Sequence, residues 1–142
     1  MNETDERHLR RAIELAGEAR EAGDMPFGSL LVGPAGQVLA ENRNTVVTGR
    51  DISGHPEFKL ALWASRELDP ETAAGTTMYT SCQPCGMCSG AIARSGLGRV
   101  VYALSSEQLG SLGATSPDAR EVVLDGPALF EEARVPVEGY YG

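Results

Sequence analysis

The sequence of 142 residues has little positive charge, only two histidines and no long apolar run. Twelve Lys and Arg stand against twenty Asp and Glu, so the formal net charge is −8, and a field of this sign repels the phosphates of nucleic acids. No apolar stretch approaches the roughly 20 residues of a membrane-spanning helix, and the polar start MNETDERHLRR is unlike a signal peptide. We therefore expect a cytoplasmic protein that does not bind membranes, and the charge weighs against nucleic acid as a partner.

Cysteine is also scarce, and the three cysteines, Cys82, Cys85 and Cys88, all lie within positions 82–88. Cysteines this close together in the sequence cannot cross-link distant parts of a fold through disulfide bonds. Their spacing therefore indicates metal or redox chemistry.

Hydrophobic periodicity and turn residues predict a single domain over 1–142 in which helices and strands alternate. The predicted elements are a helix over 4–22 with Thr4 as N-cap, two strands around the turn 33–36, a polar loop over roughly 43–54, a helix from Pro56 that ends at Asp69, a strand over 76–81, a helix from Pro84 to Gly96, and a strand over 99–104. The C-terminal part predicts a weaker strand over 121–124 and a short helix over 127–134. This alternation is typical of an α/β layered domain.

Three residues have the chemistry of a catalytic zinc site, which needs three protein ligands and an open fourth position. His55 precedes one predicted helix, and Cys85 and Cys88 lie three apart on one face of another. A helix N-terminus favours thiolates, and two thiolates with a neutral imidazole balance the charge of the ion. Glu57, two residues after His55, is placed to reach a water in the site rather than the metal, as a proton shuttle requires.

The same cysteines are also compatible with two other kinds of metal site. In a closed structural site, Cys82 would be the fourth ligand, and the protein would be a zinc-stabilised binding module without chemistry. An iron–sulfur cluster matches the C-x2-C-x2-C spacing but usually needs a fourth cysteine, which the sequence lacks.

Several motifs together resemble one enzyme family. His55-Pro56-Glu57 and Pro84-Cys85-Gly86-Met87-Cys88 match the H-x-E and P-C-x-x-C signature of zinc deaminases. With PFG at 26–28, Asn44, Asp51 and YTSCQPCGMCSGAI at 79–92, the chain resembles the cytidine deaminase superfamily over about residues 5–104. It is most similar to the branch of guanine deaminases, cytosine deaminases and tRNA adenosine deaminases. The resemblance implies a three-layer α/β/α fold with a central mixed five-stranded sheet.

The resemblance also implies roles for individual residues. One zinc ion per chain, held by His55, Cys85 and Cys88, would acidify a water, and Glu57 would carry its proton to the substrate. Asn44 would then hydrogen-bond the polar edge of the ring.

Further substrate contacts follow from the same resemblance and from the chain's end. Phe27 would pack against the ring, and the backbone N–H of Cys85 would bind a substrate carbonyl. Tyr140 and Tyr141 at the C-terminus are candidates for a lid over the pocket.

The expected reaction is hydrolytic deamination of a free nucleobase or related amino-heterocycle, such as guanine or cytosine, by a homodimer of the kind common in this branch. Deamination of a nucleoside or of a tRNA adenosine is the alternative within the family. Gln83 and Pro56 depart from residues common in this branch and bear on the substrate rather than on the reaction.

Overall fold

The computed structural model describes residues 1–114 and 121–142. The elements in chain order are α1 (Glu3–Glu21), β1 (Gly28–Val32), β2 (Val38–Arg43), α2 (Val46–Gly49), α3 (Pro56–Glu67), α4 (Pro70–Ala74), β3 (Thr77–Cys82), α5 (Gly86–Ser95), β4 (Arg99–Leu104), α6 (Ser106–Ser111) and α7 (Phe130–Ala133). The predicted alternation is confirmed through β4, and the predicted loop 43–54 contains the single-turn helix α2.

Helix α1 begins earlier than its predicted cap. Asn2 is the N-cap: its side chain accepts a hydrogen bond from the Asp5 N–H at 2.9 Å, and the Asp5 carboxylate accepts one from the Asn2 N–H at 3.2 Å. The prediction of Thr4 was therefore wrong, because this reciprocal capping box satisfies two N–H groups at once.

The central sheet is mixed, with strand order β2-β1-β3-β4. Strand β1 is antiparallel to both β2 and β3, whereas β3 and β4 are parallel. Successive side chains of β1 face opposite sides: Leu30 packs with Leu9 of α1, and Leu31 packs with Leu60 of α3. Helix α1 thus covers one face, and α3 and α5 cover the other.

Within residues 1–114 and 121–142, the sheet has four strands rather than the five that were expected. In the predicted strand 121–124, Val122, Val123 and Leu124 are 74%, 90% and 93% exposed and lie outside the sheet. The apolar composition of this segment favours a strand, but a strand is stable only when another strand supplies its hydrogen bonds. The predicted helix over 127–134 is likewise reduced to α7, a single turn.

None of the helices within the described ranges is long and apolar enough to cross a membrane.

Candidate active site

The N-termini of α3 and α5 carry the predicted metal ligands. His55 is the N-cap of α3, with Pro56 at its first position, and Cys85 is the N-cap of α5. Helix α5 therefore starts two residues after the predicted Pro84, so its cap is itself a candidate ligand. The partial positive charge at both helix ends favours thiolates and carboxylates here.

The structure brings the three predicted donor atoms together. His55 Nδ1 lies 3.7 Å from Cys85 Sγ and 3.5 Å from Cys88 Sγ, and all three donors lie within 4.8 Å of one another. Tetrahedral zinc with ordinary bond lengths separates a nitrogen and a sulfur ligand by about 3.6 Å. The arrangement therefore fits zinc. Because Cys85 is exposed and Cys88 is buried, the cluster is open on one side only.

The electrostatics of the cluster also suit a cation. Burial raises the pKa of the Cys88 thiol well above its usual range, and the nearby Glu57 and Cys85 raise it further. A divalent ion reverses this effect, because a coordinating thiol is deprotonated outright. This donor set is thus a site for a metal rather than a reactive thiol pair.

Cys82 lies outside the donor cluster. It is buried at the end of β3, and the group of potential ligands found among the described residues consists of His55, Cys85 and Cys88. A closed four-ligand site would need its thiol. The observed grouping favours a three-ligand site with an open position.

Glu57 is buried beside the hydroxyl group of Ser29 in β1. Burial raises the pKa of its carboxyl group, and its own backbone N–H and the Ser29 hydroxyl partly offset this rise. Ser29 Oγ lies 3.5 Å from Glu57 Oε1 and donates to Thr80 Oγ1 at 2.7 Å. Sequence reasoning missed Ser29 and Thr80; the available signal was a hydroxyl residue, Ser29, within the apolar run of β1.

Asn44 lies fully buried at the end of β2. Its backbone N–H donates to the Phe27 carbonyl at 3.0 Å, and its Oδ1 accepts from the Val46 N–H at 3.0 Å. Because the Val46 N–H can only donate, the side-chain atom that it contacts must be the oxygen of the Asn44 amide. The other terminal atom of the side chain is therefore the nitrogen, Nδ2. Nδ2 is the one buried side-chain polar atom in the described residues that has no partner. A buried donor of this kind needs a partner such as a bound ligand or a water molecule.

The remaining predicted residues differ in burial and in their contacts. Phe27 is half-buried and adjoins Asn44 through the backbone bond. Cys85, as an N-cap, has its N–H outside the hydrogen-bond ladder of α5. Tyr140 and Tyr141 pack edge to face on each other with ring centres 5.0 Å apart and are 80% and 86% exposed, so the rest of the chain covers little of either ring.

Comparison with known proteins agrees with this geometry. Residues 2–104 match the family described as the cytidine and deoxycytidylate deaminase zinc-binding region. A probable cytosine deaminase of Schizosaccharomyces pombe is 32% identical, with 99% of this chain and 94% of that protein covered. A tRNA-specific adenosine deaminase of Haemophilus influenzae is 31% identical over 80% of this chain and 65% of its own length.

Guanine deaminase of Bacillus subtilis is similar in both sequence and structure. The sequences are 34% identical, with 94% of this chain and 79% of the relative covered. The X-ray structure superposes with a TM-score of 0.79 at 29% identity, covering 99% of this chain and 94% of that one. The chain therefore belongs to the cytidine and deoxycytidylate deaminase family and is a zinc-dependent hydrolytic deaminase.

Proposed function

We propose that the protein hydrolytically deaminates a free nucleobase or a closely related amino-heterocycle, with guanine and cytosine as the first substrates to test. The observation that carries this proposal is the combination of a three-donor cluster, open on one side, with two buried polar groups. These are the Glu57 carboxyl and the unpartnered Nδ2 of Asn44. Such a site offers one position for a metal, one for a moving proton and one for recognition of a planar polar ring.

His55, Cys85 and Cys88 are the residues that would hold zinc, one ion per chain. Zinc bound there supplies a Lewis acid that lowers the pKa of a water molecule. Glu57 accepts the proton of that water, whose oxygen adds to the amino-bearing ring carbon. Glu57 then gives this proton to the ring nitrogen, takes a second proton from the added hydroxyl group and passes it to the departing amine, so that the C–N bond breaks, a ring carbonyl forms and ammonia leaves. Burial of Glu57 suits this role because a raised pKa brings a carboxyl closer to neutral pH.

Three further groups orient the ring in this proposal. The Nδ2 of Asn44 donates a hydrogen bond to an acceptor on the ring edge, which satisfies a group that is otherwise buried without a partner. The Cys85 N–H donates to a ring carbonyl, and Phe27 packs against the ring face. The role of Tyr140 and Tyr141 as a lid over the pocket stays a prediction.

Two observations support a free base over tRNA. The relatives that the chain matches almost end to end include a probable cytosine deaminase, whereas the match to the tRNA-specific enzyme covers 65% of that protein. The net charge of −8 opposes RNA binding, and arginines such as Arg11 and Arg99 are engaged by carboxylates of the same chain.

We also propose a homodimer. Support comes from the segment 121–142, whose large apolar side chains are mostly uncovered within one chain: Val122, Val123, Leu124, Leu129, Phe130, Val135 and Val137 are 50–93% exposed. Exposed apolar area of this extent typically marks an interface. Sedimentation equilibrium of the zinc-loaded protein is expected to give twice the chain mass; a monomer at micromolar concentration would contradict the dimer.

The substrate proposal is tested by ammonia release from zinc-loaded protein with guanine, cytosine, their nucleosides and unmodified tRNA. We expect kcat/KM for one free base to exceed that of its nucleoside by at least about tenfold, since a ribose must otherwise fit a pocket shaped for a base. Preferential turnover of the nucleoside would contradict the free-base proposal and make a nucleoside the substrate. Turnover of tRNA that falls steeply with salt would support the RNA alternative.

A further inference from the structure

Lys59 is the only lysine in the chain, and it is partly buried rather than solvated. It lies on α3, two residues after Glu57. Lysine is seldom found away from solvent without partners for its ammonium group. Its position therefore calls for a specific role.

The ammonium of Lys59 joins α3 to the segment that carries Asn44. Lys59 Nζ donates to the Arg43 carbonyl and to the Thr45 hydroxyl, both at 2.9 Å. These two acceptors belong to the residues directly before and after Asn44 in the chain. Hydrogen bonds from an ionised donor are about twice as strong as neutral ones, so these two bonds constrain the backbone on both sides of the amide.

Backbone contacts also hold the Asn44 segment against the residue that precedes His55 and α3. The Thr45 N–H donates to the Gly54 carbonyl at 3.0 Å, and Gly54 directly precedes His55. A Cβ on Gly54 would lie 2.9 Å from backbone atoms of Thr45 and Val46, so the two backbone segments are already in close contact. Lys59 supplies the side-chain link, from the helix that bears Glu57 to the strand end that bears Asn44.

We propose that Lys59 is a positioning residue that holds the Asn44 side chain in the orientation for binding the substrate ring. This inference rests on the proposed role of Asn44 in substrate binding. Lys59 itself does not touch the substrate; it acts by fixing the backbone around Asn44 relative to the first turn of α3. Loss of Lys59 should therefore weaken substrate binding and leave the metal site and the proton transfer intact.

The kinetic test compares Lys59→Met with Arg66→Met in zinc-loaded protein. Arg66 is an exposed cation on the same helix and lines, with Lys59, a surface groove between α3 and β2, so it is a matched control for loss of positive charge. We expect Lys59→Met to raise KM about tenfold, equivalent to about 1.4 kcal/mol, with kcat changed less than about twofold and zinc content unchanged. Arg66→Met should match the wild type. An unchanged KM in Lys59→Met would overturn the proposal.

A double-mutant cycle separates positioning of Asn44 from a general structural role. In an Asn44→Ala background, Lys59→Met should change KM by less than about twofold, because the group that it positions is gone. A tenfold rise in both backgrounds would show that Lys59 acts elsewhere. Lys59→Arg, which keeps the charge and the donors, should recover most of the binding; impairment equal to that of Lys59→Met would contradict the proposal.

A spectroscopic readout is independent of turnover. The side-chain NH₂ signals of Asn44 in a ¹⁵N–¹H correlation spectrum are the pair missing from Asn44→Ala. They should shift or broaden in Lys59→Met and stay in place in Arg66→Met. If the wild type deaminates no compound of the substrate panel, the proposed function fails, yet this spectrum still decides the role of Lys59: unmoved Asn44 signals in Lys59→Met would refute it.

Discussion

The side chain of Asp5 connects the first turn of α1 to two strands of the sheet, and we predict that Asp5→Ala strongly lowers the free energy of unfolding. Asp5 is only 3% exposed. Its carboxylate accepts from the Tyr79 hydroxyl at 2.6 Å and from two Arg99 N–H groups at 3.0 and 3.1 Å, and it completes the capping box with Asn2.

The magnitude follows from what each partner loses. The buried Tyr79 hydroxyl would be left without its acceptor, which costs about 1–3 kcal/mol. Loss of the reciprocal bond to Asn2 costs about 0.5 kcal/mol. The Arg99 side chain is 49% exposed and can return to water, so its share is at most about 1 kcal/mol. The expected total is about 2–4 kcal/mol, or a fall in Tm of roughly 5–15 °C.

Urea unfolding of zinc-loaded protein, followed by circular dichroism, measures this change. The midpoint should fall while the slope m stays constant, because the surface exposed on unfolding is unchanged. Glu3→Ala, which removes an exposed acid from the same helical turn, is the control and should cost less than about 0.5 kcal/mol. A loss below about 1 kcal/mol for Asp5→Ala would refute the reasoning that these bonds hold α1 to the sheet.

Three further predictions concern packing, acid stability and the metal. Gly28→Ala should destabilise the fold by about 1–3 kcal/mol, because its Cβ would lie 2.5 Å from a backbone oxygen of α1. Gly17→Ala, with open space around it, should be neutral or stabilising by up to about 1 kcal/mol, and equal urea midpoints for the two variants would contradict this. The hydrogen bond from the Arg99 guanidinium is the largest of the effects that hold the pKa of Asp5 well below its ordinary value of 3.8. The folded state therefore binds fewer protons than the unfolded state, and the free energy of unfolding falls as the pH drops below about 4. Asp5→Asn should reduce the difference between urea midpoints at pH 5 and pH 3, and an unchanged difference would assign the acid sensitivity to other groups. Cys82→Ala should retain one zinc per chain by elemental analysis; loss of the metal would point to a four-ligand site instead.

The local chemistry of the site was readable from the sequence because it depends on short spacings. The H-x-E and P-C-x-x-C motifs each fall at a helix start, where a proline favours the first turn and the cap residue projects from the helix end. The prediction that His55, Cys85 and Cys88 come together is therefore confirmed as geometry. Asn44 was found through resemblance, and its burial was not evident from the polar loop in which it was placed.

Features that depend on residues far apart in the chain could not be predicted from the sequence. Ser29, which lies next to Glu57, meets Thr80 only because β1 and β3 pair in the register in which these two residues face each other. Lys59 has a role only because its side chain reaches across to β2. The prediction of a strand over 121–124 was wrong because a strand also needs a partner. The composition of this segment favours a strand, but the sheet of its own chain does not pair with it.

The measurement that tests the central claim most directly is ammonia release by the zinc-loaded wild type and by Glu57→Ala, each with its zinc content determined on the same sample. The compounds are amino-purines, amino-pyrimidines, triazines and their nucleosides. The account predicts one zinc per chain in both proteins, turnover of at least one free base by the wild type, and a loss of at least about 10²-fold in kcat for Glu57→Ala. Full zinc occupancy with no turnover of any compound, or turnover that survives in Glu57→Ala, would contradict it.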